Sequence, residues 1–292
     1  MAALHALRPA VSGVVRNPIL VLVTALFGVS QLPNLLVQST SPVLASAISL
    51  VTFGVLVLVL PFFQGGLLGM ADEALDGGTG LGTLVATGKA NYVPLLLGYF
   101  VLLAVNTVFG FIAFMGAIIV VIGGTMAGTG GSGMGGDGAA AGVDAPAVGF
   151  DPTLLLVVAV LAVGLLLTYL LVTFFLQFYA HAVVLDGTEL VDGFRRSAGL
   201  VRSNLLSVFG YTALLTVGGA VVGVLAGGGS LVFGPQQPPG SPFAAVVSVE
   251  PTTAVLAAVA LGYVLVTGAA GAFYAAYSVA FYRSIRGDSA AA

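Results

Sequence analysis

The sequence contains no cysteine and no tryptophan, and only 7% of its 292 residues are charged. Without cysteine the chain can form no disulfide, no zinc–thiolate site and no cysteine nucleophile. A soluble domain has about 25% charged residues, and a chain of this length with far fewer cannot cover its surface with polar groups. Because 59% of the residues are hydrophobic and the mean hydropathy is +1.13, we expect most of the surface to face lipid.

Six long apolar runs predict six transmembrane helices, since a helix needs about 20 apolar residues to cross a bilayer. We therefore expect an all-α polytopic helix bundle, a single transmembrane domain over residues 1–292. Residues 123–149 consist mainly of glycine and alanine and are predicted to form a flexible loop on the outside. Pro61 is expected to kink the second span, because proline removes a backbone hydrogen bond. The predicted spans are 18–38, 43–71, 92–122, 152–181, 205–226 and 251–282.

Three basic amphipathic stretches each end in an asparagine that precedes a span: Arg16-Asn17-Pro18, Lys89-Ala90-Asn91 and Arg202-Ser203-Asn204. We infer three helical hairpins, each preceded by a cytoplasmic amphipathic helix. The asparagine is expected to cap the free backbone N–H groups at the start of each span. The alternative is that any helix entering lipid from a basic surface has this appearance.

The basic residues divide the predicted loops into two classes. All eight lie in the N-terminal segment, the connections 72–91 and 185–204, and the C-terminus. The three opposite loops contain no basic residue, and the only charges in them are acidic: Asp137, Asp144, Asp151 and Glu250. Cytoplasmic loops of membrane proteins are enriched in Lys and Arg. The sequence therefore predicts a multi-pass protein of the cell membrane with both termini in the cytoplasm and a short polar tail after residue 282.

Glycines at every fourth position predict helix contacts within the membrane, because small residues let helix backbones approach closely. The second span contains Gly65 and Gly69, and the fifth contains Gly219, Gly223 and Gly227. Since glycine occurs 42 times in the chain, chance spacing is the alternative.

Two groups of polar residues are candidate functional positions. Charged residues beside the spans are predicted to form a solvated cytoplasmic layer of exposed ion pairs: Asp72, Glu73, Lys89, Arg195 and Arg202. Three amides lie within the spans, where they would either bond across helices or line a path for a neutral solute: Gln64, Asn106 and Gln177.

Known catalytic and cofactor motifs do not fit the sequence. The glycine-rich stretch 78–89 has the wrong spacing for a nucleotide-binding loop, Ala90 stands where serine or threonine is needed, and no strand is predicted before it. Metal sites require His and carboxylates at defined spacing, and the chain has two histidines. We predict no bound cofactor, no metal and no nucleic acid partner.

The segment Pro61–Leu75 (PFFQGGLLGMADEAL), followed by Gly88-Lys89-Ala90-Asn91-Tyr92, resembles an uncharacterised family of haloarchaeal integral membrane proteins. The Arg195-Arg196-Ser197 and Arg202-Ser203-Asn204 region is similar to that family as well. More distantly, the chain resembles the six-span membrane domain that accompanies some glycerophosphodiester phosphodiesterases. The resemblance implies a membrane location and a six-span fold, and it implies no activity, because that catalytic domain is absent.

Three functions are consistent with these residues. The first is a non-catalytic membrane protein that acts by packing or by binding membrane lipids or another membrane protein, in an oligomeric state that the sequence does not define. The alternative is a transporter or channel for a small solute. Ion and proton carriers usually have ionisable residues in the middle of the membrane, whereas every charged residue here falls at a predicted span end or in a loop, so the solute would be neutral. A lipid head-group enzyme would have to use His181 with Asp186 or Glu189, or the acidic cluster that begins at Asp72.

Overall fold

The computed structural model of the chain describes residues 2–37, 42–129, 152–233 and 253–290, and every regular element in these ranges is a helix. The prediction of an all-α fold is therefore confirmed. The helices are α1 (Ala2–His5), α2 (Leu7–Arg16), α3 (Pro18–Val37), α4 (Pro42–Asp76), α5 (Leu81–Ala90), α6 (Tyr92–Thr129), α7 (Pro152–Leu176), α8 (Tyr179–Asp186), α9 (Leu190–Ser203), α10 (Leu205–Phe233) and α11 (Thr253–Ala290).

Five helical segments are long and apolar enough to cross a membrane: Ser46–Asp76, Tyr92–Val120, Leu156–Asp186, Leu205–Val224 and Ala257–Gly287. A sixth candidate is a bent pair of segments, Ala2–Arg16 and Pro18–Val29, which meet at an angle of 86°. The chain is thus a multi-pass membrane protein. In sequence order, an amphipathic segment precedes each of the pairs α3–α4, α6–α7 and α10–α11, in agreement with the predicted three hairpins.

Several predicted boundaries differ from the structure. α4 continues through Pro61 without interruption, which a membrane helix tolerates when local adjustments satisfy the freed carbonyl. The predicted fourth span is two helices, α7 and α8, separated at Gln177 and Phe178. The predicted polar tail is the last part of helix α11, and the first residues of the predicted outside loop belong to α6. The rest of that loop, from residue 130, lies outside the described residues.

The chain separates into two compact units. One contains Phe100–Leu176, and the other contains Met1–Tyr99 together with Gln177–Ala292. Within the smaller unit, Tyr169 of α7 donates its hydroxyl to Asn106 Oδ1 of α6 at 2.7 Å. The ring of Tyr169 also contacts Phe109, with the centroids 5.4 Å apart.

The core of the larger unit is built from one end of each helix. Its largest fully buried side chains come from the start of α3 and α6, the end of α4, the α7–α8 turn and the last third of α11: Leu20, Leu95, Met70, Phe178, Tyr277, Phe281, Tyr282 and Ile285. By contrast, between 0% and 11% of the most apolar window of each candidate span is buried. Packing is therefore concentrated at the span ends that adjoin the amphipathic helices.

Aromatic rings hold this end of the larger unit together. Tyr211 of α10 stacks on Phe281 of α11, with the centroids 4.3 Å apart and the planes at 11°. Phe178 lies 5.4 Å from Tyr211 and 5.8 Å from Phe281. Aromatic pairs of this kind contribute about 0.5–1.5 kcal/mol beyond their buried area, so the three rings fix α10, α11 and the α7–α8 turn against one another.

Candidate functional site

Charged and amide side chains form a network at the same end of the larger unit, which we call the polar layer. We define it by the residues that join separate helices there: Asn17, Asp72, Asp76, Asp186, Arg196, Tyr282, Arg283 and Arg286. Three of them lie on the last turns of α11. Helical spacing places Tyr282 and Arg286 on one face of that helix, so they reach the same partner.

Arg283 joins α11 to the end of α4. Its Nε lies 2.6 Å from Asp72 Oδ1, and its Nη1 and Nη2 lie 2.8 and 2.7 Å from the two carboxylate oxygens of Asp76. Nη2 also donates to the main-chain carbonyl of Asp72 at 3.0 Å. All three guanidinium nitrogens are therefore engaged. A fork of this geometry is among the stronger charge-assisted contacts.

Asp186 is the acceptor that joins α8, α9 and α11. Its side chain is 8% exposed, and its two oxygens lie 2.6 Å from Arg196 Nε and 2.6 Å from Arg286 Nη1. The hydroxyl of Tyr282 also donates to it. α8 ends at Asp186 because Gly187 takes a left-handed conformation with φ of 65°, which glycine adopts without steric cost.

Arg196 is held as a fixed positive charge. Its hydrogen bond with Tyr282 raises the pKa of the guanidinium above its ordinary value, and the charge of Asp186 acts in the same direction. Hydrogen bonding to the charged form of a group favours that form.

The turn between α7 and α8 is secured by α9. The backbone N–H of Phe178 donates to Ser197 Oγ at 3.1 Å in a buried position. Ser197 lies on the buried face of α9 with Gly193, Leu200 and Val201. A buried N–H without a partner is costly, so this hydroxyl allows the helix to be interrupted between α7 and α8.

The three asparagines at the junctions share one geometry. Each Nδ2 donates to the carbonyl four residues earlier, at 2.9 Å for Asn17, 3.0 Å for Asn91 and 3.1 Å for Asn204. Each main-chain carbonyl also accepts the first hydrogen bond of the following helix. Each Nδ2 therefore satisfies one of the last carbonyls of the preceding amphipathic helix, a contact that was not predicted, and the capping of the spans by these residues stays a prediction.

Asn17 makes additional contacts across the larger unit. Its Nδ2 donates to the carbonyl of Gly77 at 2.9 Å, and its Oδ1 accepts the backbone N–H of Thr79 at 3.0 Å. It thereby ties the α2–α3 junction to the segment between α4 and α5.

The predicted layer of charged residues is present only in part. Asp72 belongs to the polar layer through Arg283. Glu73 accepts hydrogen bonds from Thr79 at 2.8 Å and Thr83 at 2.5 Å and so supports the start of α5. The three predicted basic members are not brought to these carboxylates: Arg195 pairs with Asp192 of its own helix at 3.4 Å, and Lys89 and Arg202 are exposed and form no ion pair among the described residues.

The two sets of predicted packing glycines differ. A Cβ on Gly65 would lie 2.9 Å from Leu95, and one on Gly69 would lie 2.6 Å from Thr87, so both positions are at a close contact. Gly219 and Gly223 have no atom within 4 Å of the corresponding position in the part of the chain that is described. They therefore do not form the predicted contact within that part, since α10 turns this face away from its neighbours. The side-chain position of Gly227 lies outside the described residues.

The three predicted intramembrane amides have different surroundings. Asn106 accepts from Tyr169, as described above. Gln177 Oε1 accepts from Thr212 at 3.2 Å, whereas its Nε2 is buried without a partner among the described residues. Gln64 Oε1 is likewise buried and unpartnered there.

Sequence reasoning missed the arginine pairs of α11. Arg283 and Arg286 follow the helical periodicity of the last span, so the predicted helix could have been continued through them. Their partners Asp72 and Asp186 lie 211 and 100 residues earlier, and no local pattern identifies them. Within the described ranges no group of three or more His, Cys, Asp or Glu side chains could hold a metal ion.

Comparison with known proteins identifies a family. The model of a protein family described as a domain of unknown function (DUF7847) matches residues 1–285 of the chain. No curated protein and no solved structure matches it.

Proposed function

The chain belongs to the DUF7847 family, a domain of unknown function, and we propose that it is a non-catalytic membrane protein that binds lipids or another membrane protein. Its resemblance to haloarchaeal six-span proteins, and more distantly to the membrane domain that accompanies some glycerophosphodiester phosphodiesterases, supports a membrane role and supplies no activity.

One contrast within the molecule carries this proposal. The polar layer uses Asp72, Asp76 and Asp186 to join helices to one another, so these carboxylates have a structural use. The apolar windows of the spans are at most 11% buried. On α10, for example, Val217, Val221 and Val224 are 66%, 57% and 76% exposed. These lateral surfaces are therefore free for lipid or for a partner helix.

Site-specific photo-crosslinking in native membranes tests the proposal. A photoreactive residue at Val221, which is exposed, should give a defined adduct with a protein or a lipid. The same residue at Val208, which is fully buried in the same helix, is the matched control and should give none. Folded protein that forms no specific adduct from Val221 or from other exposed positions on the spans would contradict the proposal.

We propose further that the polar layer lies at the cytoplasmic side of the cell membrane, with both termini in the cytoplasm. The basic residues all belong to the segments on this side, and Lys and Arg mark cytoplasmic loops. A tag inserted after Gly136 should be accessible to protease only from outside the cell. Accessibility from inside alone would reverse the orientation.

Transport of a neutral solute is a second candidate, favoured by the amide atoms of Gln64 and Gln177 that are buried without a partner in the described part of the chain. Buried polar atoms normally have hydrogen-bond partners, and a passing solute could supply them. Liposomes should then show a flux of urea or glycerol that falls on Gln64→Leu or Gln177→Leu. Asn106→Leu is the control, because Asn106 already bonds to Tyr169. Equal flux in all variants would remove this candidate.

A further inference from the structure

We propose that Arg196 and Arg286 form a binding site for a phosphate group, and that the headgroup of an anionic lipid supplies it. The inference rests on the proposed function, since it names the lipid chemistry that the protein would recognise. It is carried by the geometry around Asp186.

Asp186 fixes the two guanidinium groups without saturating them. Each arginine gives one nitrogen to this carboxylate, Nε in Arg196 and Nη1 in Arg286. Arg196 also bonds to the hydroxyl of Tyr282. A guanidinium has five N–H donors, and neither arginine makes another hydrogen bond to the described residues. Several donors of each group are therefore available to a ligand.

The accessibility of the three groups differs in the way that an anion site requires. The carboxylate of Asp186 is 8% exposed, whereas the side chains of Arg196 and Arg286 are 43% and 41% exposed. The negative charge is thus turned inward, and the two positive charges reach the surface from different helices, α9 and α11. Two guanidinium groups against one carboxylate leave a net charge of +1, which one phosphodiester would neutralise.

The neighbouring Arg283, by contrast, has a purely structural role. It lies three residues before Arg286 on the same helix, yet its three nitrogens are all bonded to Asp72 and Asp76. There two carboxylates outnumber one guanidinium. Among the three arginines of the polar layer, the excess of donors is therefore found at Arg196 and Arg286 and not at Arg283.

The position of the pair favours a lipid over a free anion. Asp186 is the last residue of the candidate span Leu156–Asp186, and Arg286 is the penultimate residue of Ala257–Gly287. Span ends lie at the level of the headgroups, where anionic lipids attract basic side chains. Paired guanidinium groups suit phosphate, because their planar forks match its oxygens.

Binding of two probes to the full chain in neutral detergent tests the site. The probes are dihexanoyl phosphatidylglycerol and inorganic phosphate, titrated by isothermal calorimetry. Arg196→Gln and Arg286→Gln should each weaken binding of the lipid by about tenfold, the loss that one charge-assisted hydrogen bond represents. Arg195→Gln is the matched control, since Arg195 lies on the same helix, is exposed and forms an ion pair with Asp192 alone among the described residues. It should leave the affinity within about twofold.

A second pair of variants distinguishes weaker lipid binding from loss of the fold. Arg196→Lys and Arg286→Lys keep a positive charge for Asp186 but lack the fork, so they should fold and still bind more weakly. Lipid affinity that is unchanged in the glutamine variants, or absent in the wild type, would overturn the site. Binding of phosphate without binding of the lipid would overturn the lipid as the source. Neither result affects crosslinking from Val221, so failure of this site and failure of the proposed function are distinguishable.

Discussion

Replacement of Gly66 by alanine would test whether α4 and α5 are in direct backbone contact. A Cβ at Gly66 would lie 2.7 Å from Leu84 Cδ1 and 3.1 Å from the carbonyl carbon of Leu84, and closer still to its carbonyl oxygen. The leucine side chain can rotate away, whereas the carbonyl belongs to the backbone of α5. The two helices would therefore have to separate.

The expected effect is the sum of two opposing contributions. Alanine stabilises a helix interior relative to glycine by about 0.5–1 kcal/mol. Overpacking a close contact costs about 1–3 kcal/mol, and an obstructing main-chain atom places this site in the upper half of that range. We expect Gly66→Ala to be destabilising by about 1–2 kcal/mol after the helix gain is subtracted.

Gly54 of the same helix provides the matched control. No atom of the described structure lies within 4 Å of a Cβ built there, so Gly54→Ala should be neutral or stabilising by at most about 1 kcal/mol. Reversible unfolding of both variants in mixed micelles, followed by circular dichroism, measures the difference directly. If Gly66→Ala proved as stable as Gly54→Ala, the inferred backbone contact would be wrong.

Three further predictions concern the polar layer and the helix junctions, and can be tested by the same unfolding assay. Arg283→Gln should destabilise the protein by about 1–2 kcal/mol, which is less than the loss expected for a buried ion pair because these side chains are partly exposed. A smaller loss would show that the fork is mainly solvated. Asn17→Ala should cost about 2–3 kcal/mol and Asn91→Ala about 1 kcal/mol, because only the former residue bonds across helices; equal losses would contradict the long-range role. Ser197→Ala should cost about 1–3 kcal/mol by removing the acceptor of the Phe178 N–H, whereas Ser197→Thr keeps a hydroxyl and should retain more stability; if alanine were no worse than threonine, the hydroxyl would not support the turn.

The sequence was sufficient to predict the helices but not their partners. Hydropathy located the spans because length and apolar composition are local properties, and the repeated Asn17, Asn91 and Asn204 marked the three junctions correctly. The bonds of their Nδ2 groups to the preceding helix were not predicted. An asparagine between two helices can serve either one, and the pattern alone does not show which carbonyl or N–H is closer.

The polar layer was less predictable for a different reason. Asp72 was expected to pair with a basic residue of the connecting segments, and it pairs instead with Arg283, 211 residues away. The choice among several arginines depends on how α11 packs against α4. The same limit applies to Gly219 and Gly223, since a regular spacing of glycines shows that close approach is possible and not that a neighbour is present.

The concentration of the core at the span ends has a physical cause that can be tested on one helix. Within lipid, apolar side chains gain little by packing together, because lipid tails are as apolar as they are. Toward the span ends water restores the hydrophobic driving force. Val279, in the last third of α11, is fully buried, whereas Val266 of the same helix is 39% exposed. Val279→Ala should therefore cost about 2 kcal/mol from lost burial and the cavity it leaves, whereas Val266→Ala should cost less than about 0.5 kcal/mol. Equal losses in the unfolding assay would mean that the spans are packed along their whole length, and that a partner or a second copy covers them in the assembled protein.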